Sequence, residues 1–208
     1  MWMTCLFAGK NIHEVDALKS KLNATFDMKD LGEANHILGM HIVWNRDKKL
    51  LFLSQSGYID KVLKRFNMEG GKALSTPLPS YVKLSLNDSP KSDAEKAKVP
   101  YSSAVGSLMY AMICTRSDIA YAVGVVSRYM SNPSKKHWEA AKSIMRYLNG
   151  TRDVCICFGS KKPGVEGYTD ADYAGDMDKR RSTSGDVFMF TVLGKWPFTV
   201  AGHPPIDY

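Results

Sequence analysis

The chain has 208 residues, 44% of them hydrophobic and 24% charged, which allows one or two small domains with a buried core and excludes wholesale disorder. Lys and Arg number 28 against 21 Asp and Glu, so the net charge is +7. A basic balance of this size suits a phosphate-bearing partner, although many proteins that never bind nucleic acid are equally basic.

The expected compartment follows from the cysteines and the apolar stretches. The four cysteines show no CxxC pairing, and Cys155 and Cys157 lie within an apolar run, which favours core thiols in a reducing compartment over a disulfide framework or a metal site. The longest apolar stretches, such as 119–126, are too short to span a bilayer, and no signal peptide is visible. We therefore expect an intracellular protein, cytoplasmic or nuclear, that is not secreted and not membrane-bound.

The first 66 residues predict a helix, a β-hairpin and a second helix. Asn11 is a suitable N-cap for a helix that runs to Phe26 with its apolar residues on one face. Strands are predicted over 37–44 and 50–54, joined by a polar turn, and Ser54 is a candidate cap for the helix that follows.

A linker and a helical region come next. Glycine and proline punctuate a polar run over 68–100, which we interpret as a linker, partly extended along the surface. Ser117 or Asp118 is a suitable cap for the middle one of the helices that follow. These helices are predicted over 103–114, 118–130 and 135–149.

Beyond Gly150 the pattern changes from helices to strands. After Lys195 no regular pattern is visible. The predicted fold class is α+β. The strands are predicted over 154–158, 165–173 and 187–192.

Ordered sequence blocks run through most of the chain. The first are Asp27-Met-Lys-Asp-Leu-Gly-Glu33, Leu38-Gly-Met40, Ser54-Gln55 and Ser75-Thr-Pro-Leu78. Later blocks are Tyr101-Ser-Ser-Ala-Val-Gly-Ser-Leu-Met-Tyr110, Arg128-Tyr-Met130, Arg146-Tyr-Leu148, Gly167-Tyr-Thr-Asp-Ala-Asp-Tyr-Ala-Gly175 and Arg181-Ser-Thr-Ser-Gly185. In this order they resemble the Pol polyprotein of copia-type LTR retrotransposons, from the end of the reverse-transcriptase palm into the RNase H domain.

The resemblance implies RNA-directed DNA synthesis coupled to hydrolysis of the RNA strand, with Mg²⁺ as cofactor and a template–primer or RNA–DNA hybrid as partner. It also implies a division of the chain. A palm end with a thumb-like segment is expected over 1–66, a linker over 67–100, a helical connection over 101–150, and an incomplete RNase H-like domain with a mixed sheet over 151–208.

The polymerase carboxylates of the family are two adjacent aspartates in a Tyr-Val-Asp-Asp-Met turn, which hold divalent ions. The matching place here reads Met1-Trp-Met-Thr-Cys5 and contains no acid. A coding strand for the family turn, read one nucleotide later, spells these five residues. We therefore hypothesise a start out of frame within the old catalytic turn, with an unrelated N-terminus as the alternative. An in-frame Asp-Asp upstream in the transcript would contradict the hypothesis, and we expect no polymerase activity from this chain.

Asp170 matches the first metal-binding aspartate of the family's RNase H domain, on its opening strand. Strand alternation places Asp172 on the same face, but a solvated acidic turn is the alternative because Asp176 and Asp178 follow closely. The family takes its other acids from a Thr-Glu-Ala-Glu-Tyr block that this chain does not reach. We therefore expect Asp170 to be a remnant catalytic metal ligand in an incomplete Mg²⁺ site. Asp186 is a poor strand former and puts the second strand of this domain in doubt.

Basic residues outside these positions are the candidate phosphate contacts. They lie on two predicted helices and after the acidic turn, and an ordinary solvated face is the alternative for any one of them. They are Lys61, Lys64, Arg65, Lys142, Arg146, Lys179, Arg180 and Arg181.

Three functions stay open at this point. The chain is an inactive remnant of a Pol polyprotein, a non-catalytic RNA/DNA-binding module, or a hydrolase that recruits its missing acids from another chain. Salt-dependent binding to an RNA–DNA hybrid separates the second from the first. Mg²⁺-dependent cleavage that is lost in Asp170→Asn is required for the third.

Overall fold

The structure is a computed structural model that describes residues 5–7, 9, 11–48, 50–91, 99–159, 164–171, 173, 176, 178–182, 184–191 and 198–201. Short 3₁₀ turns lie at Leu86–Asp88 and Ser117–Ile119. The chain combines helices with antiparallel sheets, as the predicted α+β class requires. In chain order the elements are α1 Ile12–Thr25, β1 His36–Ile37, β2 Met40–Asn45, β3 Leu50–Ser54, α2 Ser56–Arg65, α3 Tyr101–Cys114, α4 Ala120–Ser127, α5 Lys135–Gly150, β4 Ile156–Phe158, β5 Gly164–Ala171, β6 Ser184–Thr191 and β7 Phe198–Ala201.

α1 forms where the sequence predicts it, with the predicted cap. The side-chain oxygen of Asn11 accepts a hydrogen bond from the His13 N–H at 3.1 Å, which satisfies one of the free donors at the start of the helix. None of the residues of α1 is buried. Its apolar face, which includes Ile12 and Leu18, is therefore exposed to solvent.

The first sheet has the strand order β1-β2-β3-β4, with antiparallel neighbours. The single strand predicted over 37–44 is wrong, because a tight turn divides it and pairs Ile37 with Met40. Leu38 and Gly39 at this turn have φ angles of 49° and 73°. Two consecutive residues with positive φ make the tight hairpin turn that fits the twist of the strands, and leucine rarely adopts that conformation.

The second hairpin turns where predicted, and β4 then joins the sheet from far along the chain. At the hairpin turn the Lys48 N–H donates to the Asn45 side-chain oxygen at 3.0 Å. Ile156 of β4 pairs with Leu53 of β3. The division of the chain at residues 66, 100 and 150 stays a prediction, but this pairing ties its last segment to its first.

The main core lies among α2, α3, α4 and α5. Leu63, Leu108, Ile144 and Leu148 are almost fully buried there, one from α2, one from α3 and two from α5. None of the described helices is long and apolar enough to cross a membrane. The three helices predicted between 103 and 149 are confirmed, with modest shifts at their ends.

The helix caps differ from the predictions at two places. Ile119 occupies the N-cap position of α4 and offers no side-chain hydrogen bond, so the predicted cap by Ser117 or Asp118 is wrong. Gln55 occupies that position in α2, while the Ser54 hydroxyl accepts from the next helical N–H at 3.3 Å. These differences matter little to the helices, whose stability comes from their buried faces.

The predicted linker has no α-helix in its described part, but it packs against the core. Met68 and Leu84 are buried in the same cluster as the helices. The Asn149 side chain donates to the Gly71 carbonyl at 2.8 Å. The segment is therefore fixed on the helical body over 68–91, and 92–98 lie outside the described residues.

The second sheet has the order β5-β6-β7. Both of its described pairings are antiparallel, in contrast to the mixed sheet that was expected. Asp186 lies within β6 opposite Thr169, so this poor strand former does not prevent the strand. β7 was not predicted, because its sequence Phe198-Thr-Val-Ala201 follows a stretch without a regular pattern.

Candidate functional site

The basic helices α2 and α5 lie side by side and run antiparallel. Phe66, just past the end of α2, packs edge-on against Trp138 in the first turns of α5, with ring centroids 6.3 Å apart. Arg152, just beyond the end of α5, pairs with Asp60 in the middle of α2 at 3.0 Å, so the two helices run in opposite senses. Ile59, Val62 and Leu63 form the buried face of α2, and its exposed residues make up an outward face.

The three candidate phosphate contacts on α2 lie on this outward face. Lys61, Lys64 and Arg65 are all exposed. The Arg65 guanidinium carbon lies 5.5 Å from the ring centre of Phe66, which is within the range of a cation–π contact. None of the three pairs with a carboxylate from the described part of the chain.

The candidates on α5 lie on the same face of the helix as Trp138. Lys142 and Arg146 follow that residue at intervals of four and therefore share one face of the helix. Lys142 pairs with Glu139 at 2.5 Å, which offsets part of its charge. Arg146 is half-buried and has no ion pair with a described residue.

Lys179, Arg180 and Arg181 belong to a tight turn between β5 and β6. The turn is built on Asp176, whose side chain accepts from the N–H groups of Asp178 and Lys179 at 2.9 and 3.2 Å. Its carbonyl accepts from the Arg180 N–H at 2.9 Å, and Arg180 adopts a left-handed φ of 57°. The three basic side chains are exposed at this turn.

The acids of the same turn contact the helical body. Asp176 is 7% exposed and pairs with Arg128 at 3.5 Å. Asp178 accepts from the Ser85 hydroxyl at 2.7 Å, the Leu86 N–H at 2.9 Å and the Tyr129 hydroxyl at 3.1 Å. A solvated acidic turn is therefore wrong for these two aspartates.

These contacts perturb the titration of both partners. Burial raises the pKa of Asp178, but the hydrogen bonds from Ser85, Leu86 and Tyr129 outweigh burial and hold that pKa below its usual value. Burial, together with the Asp178 carboxylate, raises the pKa of Tyr129 to about 12. At neutral pH the pair therefore consists of a carboxylate acceptor and a phenol donor.

Asp170, the candidate metal ligand, is the penultimate residue of β5, where its backbone lies opposite Gly185. Asp172 lies outside the described residues. No group of three or more His, Cys, Asp or Glu in the described part of the chain could hold a metal ion. Two-metal chemistry needs several carboxylates in one place, so the described residues do not fit a complete Mg²⁺ site.

Arg116 is a buried cation that the sequence patterns do not predict. Its fully buried guanidinium donates to both carboxylate oxygens of Asp118 at 3.0 and 2.7 Å, and to the Thr151 carbonyl and hydroxyl at 2.8 and 2.6 Å. It also lies 5.6 Å from the ring centre of Tyr147. Arg116 thus joins the start of α4 to the end of α5 and is unavailable to a phosphate. The only sequence signal was an Arg two residues before an Asp at a helix start.

Comparisons with known proteins identify relatives along most of the chain. A family profile described as reverse transcriptase (RNA-dependent DNA polymerase) matches residues 3–80. The chain is 57% identical over 189 residues to the retrovirus-related Pol polyprotein from transposon TNT 1-94 of Nicotiana tabacum, which covers 89% of this chain and 14% of that protein.

Two further relatives are shorter proteins. The uncharacterized mitochondrial protein AtMg00810 of Arabidopsis thaliana is 36% identical over 182 residues, covering 86% of this chain and 72% of that protein. The secreted RxLR effector protein 161 of Plasmopara viticola is 50% identical over 93 residues, covering 43% of this chain and 64% of that protein. The chain thus spans less than two thirds of the length of the TNT 1-94 and RxLR proteins. No solved structure matches the chain.

Proposed function

Because the chain belongs to the copia-type retrotransposon Pol polyprotein family, we propose that it is a nucleic-acid-binding segment of a reverse transcriptase/RNase H polyprotein and performs no chemistry alone. Its ligand is a template–primer or an RNA–DNA hybrid. In this proposal residues 1–66 form the palm end and a thumb-like segment, 67–100 the linker, 101–150 the connection, and 151–208 the RNase H-like part.

The observation that carries the proposal is the basic surface of α2 and α5, defined here as Lys61, Lys64, Arg65, Lys142 and Arg146. The contacts of Phe66 with Trp138 and of Asp60 with Arg152 join the two helices that carry these side chains, which supports a shared surface. Lys and Arg side chains of this kind bind phosphates without reading sequence. α5 has 16 residues, which at 1.5 Å per residue extends about 24 Å, or roughly seven base pairs of duplex.

The proposal that the chain performs no chemistry alone rests on the carboxylates that the family's hydrolytic site requires. Asp170 is the residue that matches a metal ligand, and Asp172 is the candidate for a second. Mg²⁺ held in such a site would stabilise the charge on the attacking and leaving oxygens, but one or two carboxylates do not hold a metal pair. The alternative is hydrolysis of the RNA strand with acids supplied by another chain.

Binding of a labelled RNA–DNA hybrid at 50–200 mM salt, followed by fluorescence anisotropy, tests the proposal. We expect Lys61→Glu combined with Lys64→Glu to weaken binding and to reduce the salt slope by about 2, since two phosphate contacts are lost. The matched control is Lys21→Glu combined with Lys29→Glu, which makes the same charge change at exposed positions in and after α1.

Two outcomes would contradict the proposal. Equal weakening by both double variants would mean that net charge, rather than the basic surface of α2 and α5, drives binding. Mg²⁺-dependent cleavage of the hybrid by the chain, lost in Asp170→Asn, would show that the chain is a hydrolase.

A further inference from the structure

The turn between β5 and β6 caps a 3₁₀ turn that lies more than 90 residues earlier in the chain. In the Leu86–Asp88 turn, Ser85 occupies the N-cap position and its hydroxyl accepts from the Asn87 N–H at 3.2 Å. The preceding donor, the Leu86 N–H, is bound by Asp178. Asp178 therefore completes the cap of a turn that lies far from it in the sequence.

The capped turn also contacts the start of α5. Asp88 accepts a hydrogen bond from the Lys136 ammonium at 2.8 Å, and Lys136 lies in the first turn of α5. Lys179 and Arg180 directly follow Asp178 in the chain. The two exposed basic residues thus lie near the N-terminal end of the helix that carries the basic surface.

Tyr129, just beyond the end of α4, also holds Asp178 in place. Its hydroxyl donates to Asp178, and its ring stacks on His137 of α5 with centroids 4.1 Å apart and an interplanar angle of 9°. Tyr129 is 3% exposed, so a buried hydroxyl would lose its acceptor if Asp178 left. An unpaired buried hydroxyl is costly, which makes the docked position of the turn the favoured one.

We propose that Asp178 is a positioning residue, which holds Lys179 and Arg180 beside the start of α5 so that the β5–β6 turn and the basic surface bind one continuous phosphate backbone. This inference rests on the proposed function. It adds that the second sheet and the helical body bind the hybrid together. A duplex must then be longer than α5, roughly seven base pairs, to reach both parts.

Hybrids of 6 and 16 base pairs test the positioning role, because only the longer one exceeds the length of α5. We expect the salt slope of wild-type binding to be larger for the longer hybrid by about 2, the number of phosphates reached by Lys179 and Arg180. Asp178→Ala should abolish this difference. Asp47→Ala is the matched control, since it removes the same charge from an exposed acid in the β2–β3 turn and should keep the difference.

Hydrogen exchange at the Leu86 amide, without nucleic acid, tests the docking itself. We expect exchange at least tenfold faster in Asp178→Ala. Tyr129→Phe removes only the hydroxyl and should accelerate exchange and reduce the slope difference in the same direction. If Asp178→Ala accelerates exchange but keeps the slope difference, positioning is wrong. If exchange is unchanged, docking is wrong. Absence of salt-dependent binding by the wild type would instead reject the proposed function, while exchange would still report docking.

Discussion

Arg116→Ala tests whether a buried guanidinium holds the helical body together. The substitution removes the hydrogen bonds from Arg116 to Asp118 and Thr151. Breaking a buried ion pair by deleting one partner costs about 3–5 kcal/mol, because the other charge is left without compensation. The Asp118 side chain is 34% exposed and keeps the Tyr147 hydroxyl at 2.8 Å. Since this carboxylate can rehydrate, we expect a loss of about 3 kcal/mol in the free energy of unfolding.

A second substitution separates charge from geometry. Arg116→Lys keeps the charge but lacks the planar fork, so it can reach Asp118 or Thr151 but not both. We expect a loss of about 1.5 kcal/mol, half that of the alanine variant. Arg152→Ala is the control, because the Arg152 side chain is 35% exposed in its pair with Asp60, and exposed pairs contribute less than about 1 kcal/mol.

Urea unfolding followed by tryptophan fluorescence measures these losses. With a slope near 2 kcal/mol per molar, typical of a small protein, Arg116→Ala should lower the urea midpoint by about 1.5 M. A midpoint shift no larger than that of Arg152→Ala would refute the reasoning, since the buried pair would then contribute no more than an exposed one.

Three further predictions concern a buried histidine, two carboxylates and the turn between β1 and β2. Burial lowers the pKa of His137, so the unfolded chain binds a proton first and stability should fall as the pH drops below about 6.5. The pKa of Asp88 is lowered chiefly by a lysine hydrogen bond, and that of Asp178 by the bonds described above, so a second loss should follow below about pH 4. Urea midpoints measured from pH 8 to 3 check both losses. A flat profile between pH 7 and 5 would contradict the prediction for His137. A loss below pH 4 that is unchanged in Asp88→Asn would contradict the prediction for the carboxylates. Gly39→Ala should cost about 1 kcal/mol, since the new Cβ meets no atom within 4 Å and only the left-handed φ is unfavourable. Gly70→Ala, which has equal space and no positive φ, is its control in thermal melts, and equal losses would count against strain at Gly39.

The helices were predictable because their information is local. Apolar spacing predicts α1 and α5, and the predicted cap at Asn11 bonds as short polar side chains do at helix starts. The cap of α5 at Ser134 is of the same kind but was not predicted. The turn at Leu38 and Gly39 was not predictable in the same way. Leucine rarely adopts a positive φ, so the conformation there is imposed by pairing within the sheet rather than by the residue.

The sequence patterns do not predict contacts between residues that are far apart in the chain. Lys61 and Lys64 were placed on an exposed helical face by spacing alone, and they are exposed. The solvated acidic turn that is the alternative for Asp170 would include Asp178, and nothing near Asp178 in the sequence marks Ser85 or Tyr129 as its partners. A charged side chain that is satisfied across the fold has the same local sequence as one in water. Contacts of this kind are therefore the part of the candidate site that only coordinates reveal.

The pairing of β3 with β4 has a consequence for how the sheet keeps its register. In a hairpin the turn sets the register, as the turn at Asn45 does for β2 and β3. Leu53 and Ile156 are paired but about 100 residues apart, and closing a loop of that length costs roughly 4 kcal/mol of chain entropy. The folded helices between them shorten this loop and hold its ends together. The alignment of the edge strand β4 is thus determined by the packing of α2 to α5 rather than by any local turn.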